Sequence, residues 1–259
     1  MTGNLVDFYA RLTPFYHLLY PDWEKSIEKQ AGALDAIIRE VWGEGHKRIL
    51  DAACGIGTQS LGLAVLGYLV SGSDLSPQAV ERARVEAAAR DLDIPFTVAD
   101  MRALSNHHQD QFDIVLACDN ALPHLLSDGE ILEALRQFYA CTRPGGGCII
   151  SVRDYESEDR AEETSKVYGL REENGARYLI FQVWDWQGEQ YDLSLYFIAD
   201  DGGDSAATQV MRAAYYAVGT GRLIELMRSA GFEEVRRLDG VYFQPVIIGT
   251  RGKTTGNAA

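Results

Sequence analysis

The chain has 259 residues, of which 46% are apolar and 24% are charged, values ordinary for a globular protein with one α/β domain and an insertion. Its 24 basic and 38 acidic residues give a net charge of −14, which disfavours sequence-independent binding to nucleic acids and to anionic membrane surfaces. The N-terminus has no basic segment followed by an apolar one, and no apolar run approaches the length of a membrane span, so we expect a cytoplasmic protein.

The N-terminal region, residues 1–44, is predicted to combine an aromatic segment with a helix. Aromatic residues crowd the first 23 positions, and residues 24–42 carry apolar side chains at helical spacing, up to Gly43. We interpret the aromatic segment as a lid over a ligand site, or as ordinary packing of the first helix against a sheet.

Predicted strands and helices alternate from residue 48 to residue 152. Apolar runs predict five buried strands, at residues 48–53, 68–72, 96–99, 112–118 and 148–152. Helices are predicted between them at 60–66, 79–90 and 128–142, the second with Ser76 as its N-cap and Pro77 in its first turn. This alternation predicts an α/β fold with a doubly wound, Rossmann-like, mostly parallel sheet.

The alternation of strands and helices ends after residue 153. Residues 155–175 are polar, and residues 177–199 read as a β-hairpin that turns at Gly188. A further strand at 209–218, a helix at 221–230 and strands at 235–238 and 246–250 follow. We therefore expect a β-rich cap inserted between strands five and six. The predicted regions are 1–44 (lid and helix), 45–154 (ligand-binding core), 155–200 (cap), 201–250 (completion of the sheet) and 251–259 (a disordered tail).

The loop after the first strand, residues 51–59, reads DAACGIGTQ. Gly55 and Gly57 allow the backbone to approach a ligand closely, and Asp74 ends the second strand, where a carboxylate can accept hydrogen bonds from a ribose. A dinucleotide loop would need a third glycine where this chain has Ser60. The carboxylate of Asp51 before the glycines suits a ligand with a cationic amine and no pyrophosphate, which indicates S-adenosylmethionine.

Later strand ends agree with this ligand. Asp100 and Met101 follow the third strand, where a carboxylate can accept from an adenine amino group, and Asp119 and Asn120 follow the fourth. Each is weak evidence alone because a loop aspartate is usually a cap or turn residue. Because they occur in this order at the carboxyl ends of successive strands, together they indicate a ligand-binding site at that edge of the sheet.

With these motifs, residues 45–152 resemble the class I S-adenosylmethionine-dependent methyltransferases. The resemblance implies that the loop contacts the methionine moiety, that Asp74 binds the ribose, that Leu75 packs beside the adenine, and that Asp119 lines the methyl-transfer cavity. The predicted cofactor-binding residues are Tyr16, Trp23, Asp51, Ala53, Gly55, Gly57, Asp74, Leu75, Asp100, Met101, Asp119 and Asn120. If the lid exists, its aromatic faces would attract the sulfonium (Tyr9, Tyr16, Tyr20 and Trp23).

Two stretches, CDNALPHLL at 118–126 and SVRDY at 151–155, are similar to glycine and sarcosine N-methyltransferases. The resemblance implies that Asn120 and His124 lie in a cofactor-contacting stretch and that Arg153 binds the carboxylate of an amino-acid substrate. The chain departs from that pattern with Asp119 in place of glycine and Asp154 in place of asparagine.

The predicted catalytic residues are Arg153, His124 and Tyr216. Arg153 is either a carboxylate clamp or a surface ion-pair partner of a neighbouring acid, and His124 is either a general base or a packing residue. Tyr215 and Tyr216 are adjacent on a strand, so only one of them can point into the pocket. No metal site is predicted, because no second histidine stands at ligand spacing and the four cysteines, which form no CxxC pair, are expected to be reduced and buried.

The sequence therefore predicts an S-adenosylmethionine-dependent methyltransferase that acts on a small molecule, with an amino-acid-like amine as the leading acceptor. The alternatives are O- or S-methylation of another metabolite and a nucleotide-binding protein that has lost catalysis. An NAD(P) oxidoreductase is disfavoured by Ser60. The aromatic face of the cap is expected to roof the acceptor pocket, to contact a second copy of the chain, or to do both.

Overall fold

The computed structural model describes residues 2–158 and 164–253, so most of the predicted disordered tail and a short part of the predicted cap lie outside the described residues. The helices are α1 (Thr2–Leu12), α2 (Trp23–Trp42), α3 (Thr58–Val65), α4 (Pro77–Ala88), α5 (Asp128–Cys141) and α6 (Thr220–Ser229). The strands are β1 (Arg48–Asp51), β2 (Leu69–Asp74), β3 (Phe96–Val98), β4 (Phe112–Ala117), β5 (Thr142–Ser151), β6 (Thr164–Glu173), β7 (Ala176–Gln187), β8 (Gln190–Asp200), β9 (Ala207–Tyr216), β10 (Glu233–Leu238) and β11 (Val246–Thr250).

The main sheet has seven strands in the order β3-β2-β1-β4-β5-β11-β10. Strands β1 to β5 are parallel, β11 is antiparallel to β5, and β10 is antiparallel to β11. This confirms the predicted doubly wound, mostly parallel sheet. Because the strand order reverses beside β1, the loops after β1, β2 and β4 open at one edge, where such folds bind ligands.

Helices cover both faces of this sheet. Adjacent strand residues point to opposite faces, so Leu50 packs toward α5 and α6, whereas Ile49 packs toward α2, α3 and α4. Both side chains are fully buried. Burial on both faces explains why these strands read as continuous apolar runs rather than as alternating ones.

The cap is a second sheet of four antiparallel strands, β6-β7-β8-β9. Its inner face packs with the N-terminal segment: Phe8 and Leu12 share an apolar cluster with Trp184 and Phe197. The N-terminal segment and the cap thus form one layer. A cap between the fifth and sixth strands of the main sheet is confirmed, but it extends to Tyr216, beyond the predicted boundary at residue 200.

The first strand of the cap, β6, was not predicted. It lies at the edge of the sheet, and its described residues are exposed or only partly buried. An edge strand of this kind carries no regular apolar alternation, so its sequence resembles that of a polar loop.

None of the helices in the described ranges combines the length and apolar character that crossing a membrane requires.

Candidate active site

Two adjoining cavities lie between the carboxyl edge of the main sheet and the cap. The first, of about 370 Å³, is lined by the loops that follow β1 to β4, and the second, of about 480 Å³, by the N-terminal segment, the end of β5 and the cap. Four side chains line both cavities and form what we call the common wall: Tyr9, Tyr16, Tyr20 and Asp119.

The glycine loop lines the first cavity. Gly55 has a φ of +52°, and a Cβ placed there would lie 3.8 Å from the hydroxyl oxygen of Tyr16, so the loop and the common wall approach closely. Gly57, with a φ of +95°, caps α3 and lies against Leu61, outside the residues that line the cavity. Gly57 was predicted to contact the ligand, but its position indicates that it shapes the turn instead.

Asp51 is fully buried at the end of β1, behind a cavity lining that includes Ala52 and Ala53. Its Oδ2 accepts a hydrogen bond from Ser60 Oγ at 2.7 Å, whereas its Oδ1 has no hydrogen-bond partner among the described residues. Burial raises the pKa of Asp51 to about 7. Ser60, which stands where a dinucleotide-binding loop has glycine, therefore holds the carboxylate of Asp51 by a hydrogen bond.

Asp74 lines the first cavity beside Leu75. Its Oδ2 accepts from the backbone N–H of Gly55 at 2.9 Å and its Oδ1 from that of Ser76 at 2.9 Å, so it ties the glycine loop to the end of β2. Burial raises the pKa of Asp74. Each carboxylate oxygen can accept a second hydrogen bond, which leaves capacity for ligand hydroxyls.

Asp100 and Met101 also line the first cavity. Asp100 forms an ion pair with Arg102 at 2.6 Å, and Arg102 in turn pairs with Glu130 at 2.8 Å. Burial would raise the pKa of Asp100, but the hydrogen bonds from Arg102 outweigh it and hold that pKa below its ordinary value. Sequence reasoning missed Arg102 and Glu130, both of which line this cavity.

The loop after β4 is conformationally unusual. Asp119 and Asn120 are consecutive non-glycine residues with φ of +56° and +64°, a region that costs L residues energy unless their surroundings hold them there. Ser151 holds them: its Oγ accepts from the N–H of Asp119 at 2.8 Å, and its carbonyl accepts from the N–H of Asn120 at 3.1 Å. The Asp119 carboxylate accepts from the Tyr20 hydroxyl at 2.6 Å, and burial raises its pKa.

Asn120 was predicted to bind the cofactor, but it lines the second cavity rather than the first. Its Oδ1 accepts from the N–H of Arg153 at 3.0 Å, and its amide donates to the Tyr155 hydroxyl at 2.8 Å. Asn120 is therefore placed to fix the backbone of Arg153.

Arg153 lines the second cavity, with its guanidinium 4.9 Å from the centre of the Trp184 ring. Over the described ranges, no carboxylate lies within ion-pair distance of it, and the adjacent Asp154 pairs with Arg237 at 2.6 Å instead. The surface ion-pair interpretation of Arg153 is therefore wrong.

His124 lines the first cavity with its Nε2 2.6 Å from the Tyr9 hydroxyl and its ring centre 4.1 Å from that of Tyr215. Burial lowers the pKa of His124 to about 3, so the ring is neutral near pH 7 and is a weak base. These contacts favour a packing role over general base catalysis.

Tyr216 does not reach either cavity. Its hydroxyl donates to Asp128 at 2.9 Å, whereas Tyr215, on the opposite face of β9, lines the second cavity. Tyr216, predicted as a catalytic residue, therefore lies outside both cavities, and Tyr215 is the member of the pair that points inward.

Three of the four aromatic residues expected in the lid line both cavities. Tyr9, Tyr16 and Tyr20 follow one another in the common wall, with ring centres 6.3 and 6.5 Å apart. Trp23 lies outside the lining of both cavities: its indole N–H donates to Thr58 at 2.9 Å, and Arg90 covers its ring.

Two side chains of the second cavity, Tyr168 and Gln182, were missed by sequence reasoning. Tyr168 belongs to the unpredicted β6. For Gln182 the signal was available, because the alternation that points Ile180 and Trp184 inward puts this polar residue on the same buried face.

Comparison with known proteins matches residues 49–146 to the model of a methyltransferase domain. The glycine/sarcosine N-methyltransferase of Aphanothece halophytica is 31% identical over 119 residues, which are 46% of this chain and 45% of that protein. The ubiquinone biosynthesis O-methyltransferase of an Azoarcus strain is 30% identical over 147 residues, 55% of this chain and 61% of that protein. The chain spans about half the length of the first of these relatives.

Among solved structures, the sugar N-methyltransferase KedS8 from Streptoalloteichus superposes with a TM-score of 0.75 at 20% identity, covering 92% of this chain and 93% of that one. The two proteins therefore share a fold over nearly the whole of this chain, including the cap. The matched domain, the relatives and the shared fold together support a class I S-adenosylmethionine-dependent methyltransferase.

Solved methyltransferases that share this fold bind S-adenosylmethionine, and the residues of the first cavity fit this cofactor. Gly55 leaves room at the loop, and Asp74 retains acceptor capacity for ribose hydroxyls. Asp51, buried behind the lining, has an Oδ1 without a hydrogen-bond partner among the described residues, and a nearby cationic amine would compensate this buried carboxylate. Leu75 and Met101 supply apolar surface for a purine ring.

Proposed function

We propose that this methyltransferase transfers a methyl group from S-adenosylmethionine in the first cavity to the nitrogen of a small, amino-acid-like acceptor in the second cavity. The observation that carries this proposal is the common wall, because two sites that share a wall can bring a donor and an acceptor into contact. Bound cofactor supplies an electrophilic methyl group on a sulfonium.

The residues of the first cavity bind and orient the cofactor. In this proposal Asp74 holds the ribose hydroxyls, Asp51 faces the amino-acid end, and the stacked tyrosines of the common wall present aromatic faces toward the sulfonium. The cap excludes water from the reaction, since its inner face is a continuous apolar cluster with the N-terminal segment.

The residues of the second cavity orient the acceptor. Arg153 receives its carboxylate, and Asn120 keeps Arg153 in place through the backbone hydrogen bond at 3.0 Å. His124, with a pKa of about 3, is a poor base for an amine and for a hydroxyl alike, so removal of a proton from either acceptor requires another group.

The test is release of S-adenosylhomocysteine by the whole chain in the presence of candidate acceptors. The panel contains the twenty standard amino acids, sarcosine, dimethylglycine, an amino sugar and small phenols. We expect turnover with amino-acid amines. Turnover with phenols alone would replace N-methylation by O-methylation, the activity named for one relative. Calorimetric binding of S-adenosylmethionine without turnover of any acceptor would indicate a nucleotide-binding protein that lacks catalysis.

A further inference from the structure

Asp119 lies at the point where the two cavities meet, and one of its carboxylate oxygens is free. Oδ2 accepts from Tyr20, whereas no hydrogen bond to Oδ1 is found among the described residues. Asp119 also stands where the glycine/sarcosine N-methyltransferase pattern has glycine, so its carboxylate is a property of this chain rather than of that pattern.

Besides Asp154 and Glu158, which have ion-pair partners of their own, the second cavity contains two opposite charges that form no ion pair with each other. Asp119 and Arg153 both line it, yet within the described part of the chain neither has an ion-pair partner. The backbone of each is held in place, since the N–H of Asp119 donates to Ser151 Oγ and the N–H of Arg153 donates to Asn120 Oδ1. A cavity that keeps an anion and a cation apart is complementary to an occupant that carries both an ammonium and a carboxylate group.

We propose that Asp119 binds the ammonium group of a zwitterionic amino acid and accepts its proton, while Arg153 binds the carboxylate. This inference rests on the proposed function and specifies its substrate class. The ammonium loses one proton to the Asp119 carboxylate. The freed nitrogen lone pair then forms the N–C bond as the C–S bond breaks, and the electron pair of that bond stays on sulfur. The products are an N-methylammonium, S-adenosylhomocysteine and a proton that Asp119 releases to solvent.

The surroundings of Asp119 favour this proton transfer. Burial raises the pKa of the carboxyl group, which makes it a better acceptor of a proton than an exposed aspartate. The charge of Arg153 opposes this rise in the pKa of Asp119. Several other titratable groups near Asp119 are neutral near pH 7, because burial raises the pKa of each: Tyr9, Tyr16, Tyr20, Tyr168, Tyr242 and Cys118.

The experiment compares the wild-type chain with Asp119→Asn, which keeps the volume and an oxygen for Tyr20 but removes the charge. Binding of the best amino-acid acceptor to the S-adenosylhomocysteine-loaded protein is measured by calorimetry. We expect affinity to fall roughly 10- to 100-fold, the range for a lost charge-assisted hydrogen bond. Affinity for S-adenosylmethionine should change less than threefold. Tyr20→Phe is the matched control, since it removes the hydrogen bond and retains the charge.

The pH profile gives a second readout. In the wild type, kcat/KM should be high near neutral pH, because Asp119 deprotonates the ammonium. In Asp119→Asn it should rise continuously with pH, because only the amine that is already free can react. Equal acceptor affinity and equal pH profiles in the two proteins would overturn the inference, as would loss of cofactor binding alone. Turnover limited to amino sugars or phenols would overturn it while leaving methyl transfer intact, and absence of all turnover would refute the proposed function itself.

Discussion

The two cavities of this molecule are built in different ways. The first is made of short loops that each directly follow a parallel strand, so its residues occur in the sequence as local motifs: Gly55 after β1, Asp74 at the end of β2 and Asp100 after β3. The second is assembled from the N-terminal segment, the residues after β5 and all four strands of the cap. The first arrangement follows from the order of the strands in the sheet, whereas the second brings together residues that lie far apart in the sequence. In the proposed function, cofactor binding and acceptor choice are therefore assigned to separate cavities.

The largest effect should come from Arg153→Ala, which tests whether the second cavity alone selects the acceptor. Removing one partner of a charged pair typically costs about 2–5 kcal/mol, so kcat/KM for an amino-acid acceptor should fall roughly 30- to 5,000-fold. Calorimetric affinity for S-adenosylmethionine should stay unchanged. Arg153→Lys is the control, because it keeps the charge but loses the bidentate geometry. Its kcat/KM should lie between those of the wild type and of Arg153→Ala. An unchanged KM in the alanine variant would remove Arg153 from the acceptor site.

The second prediction concerns Asp51 and the pH dependence of stability. Its pKa is about 7 in the folded chain and near 3.8 when unfolded, so the unfolded state releases the proton first as pH rises. Asp51 therefore destabilises the cofactor-free fold progressively between about pH 4 and pH 7, by an amount on the order of 4 kcal/mol. Urea unfolding at pH 5 and pH 8 should show a smaller loss of stability in Asp51→Asn than in the wild type. Parallel slopes in the two proteins would show that Asp51 titrates normally.

A smaller effect is expected at Tyr16, which belongs to both cavities. Tyr16→Leu removes the aromatic face but keeps an apolar side chain, and a lost cation–π contact costs about 0.5–2 kcal/mol. The Kd of S-adenosylmethionine should rise roughly 2- to 30-fold. S-adenosylhomocysteine, which lacks the sulfonium charge, should be affected less, and equal losses for the two ligands would mean that Tyr16 contributes packing only. Trp23→Leu, outside both linings, should change neither Kd.

The difference between the cavities also explains how much of the molecule could be predicted. The strand–loop–helix units of the sheet carry their own signals, so the fold and the positions of Gly55 and Asp74 followed from local pattern. Asn120 was assigned to the wrong cavity because it and Asp119 are neighbours with positive φ, and such a turn separates two side chains that the sequence places together. Tyr168 could not be found, since edge strand β6 has no apolar alternation and its partners lie on other strands.

The smallest effect should be that of Tyr216→Phe, which checks the corrected orientation of β9. The substitution removes the hydrogen bond at 2.9 Å to Asp128, so the free energy of unfolding should fall by about 1 kcal/mol while kcat and KM remain at wild-type values. Tyr215→Phe is the matched variant on the opposite face: its ring is stacked on Tyr191, with centres 5.2 Å apart, and it lines the acceptor cavity. We expect the KM for the acceptor to change in this variant only. A change of KM in Tyr216→Phe and none in Tyr215→Phe would mean that β9 presents its other face to the substrate, and the residues assigned to the second cavity from this strand would have to be exchanged.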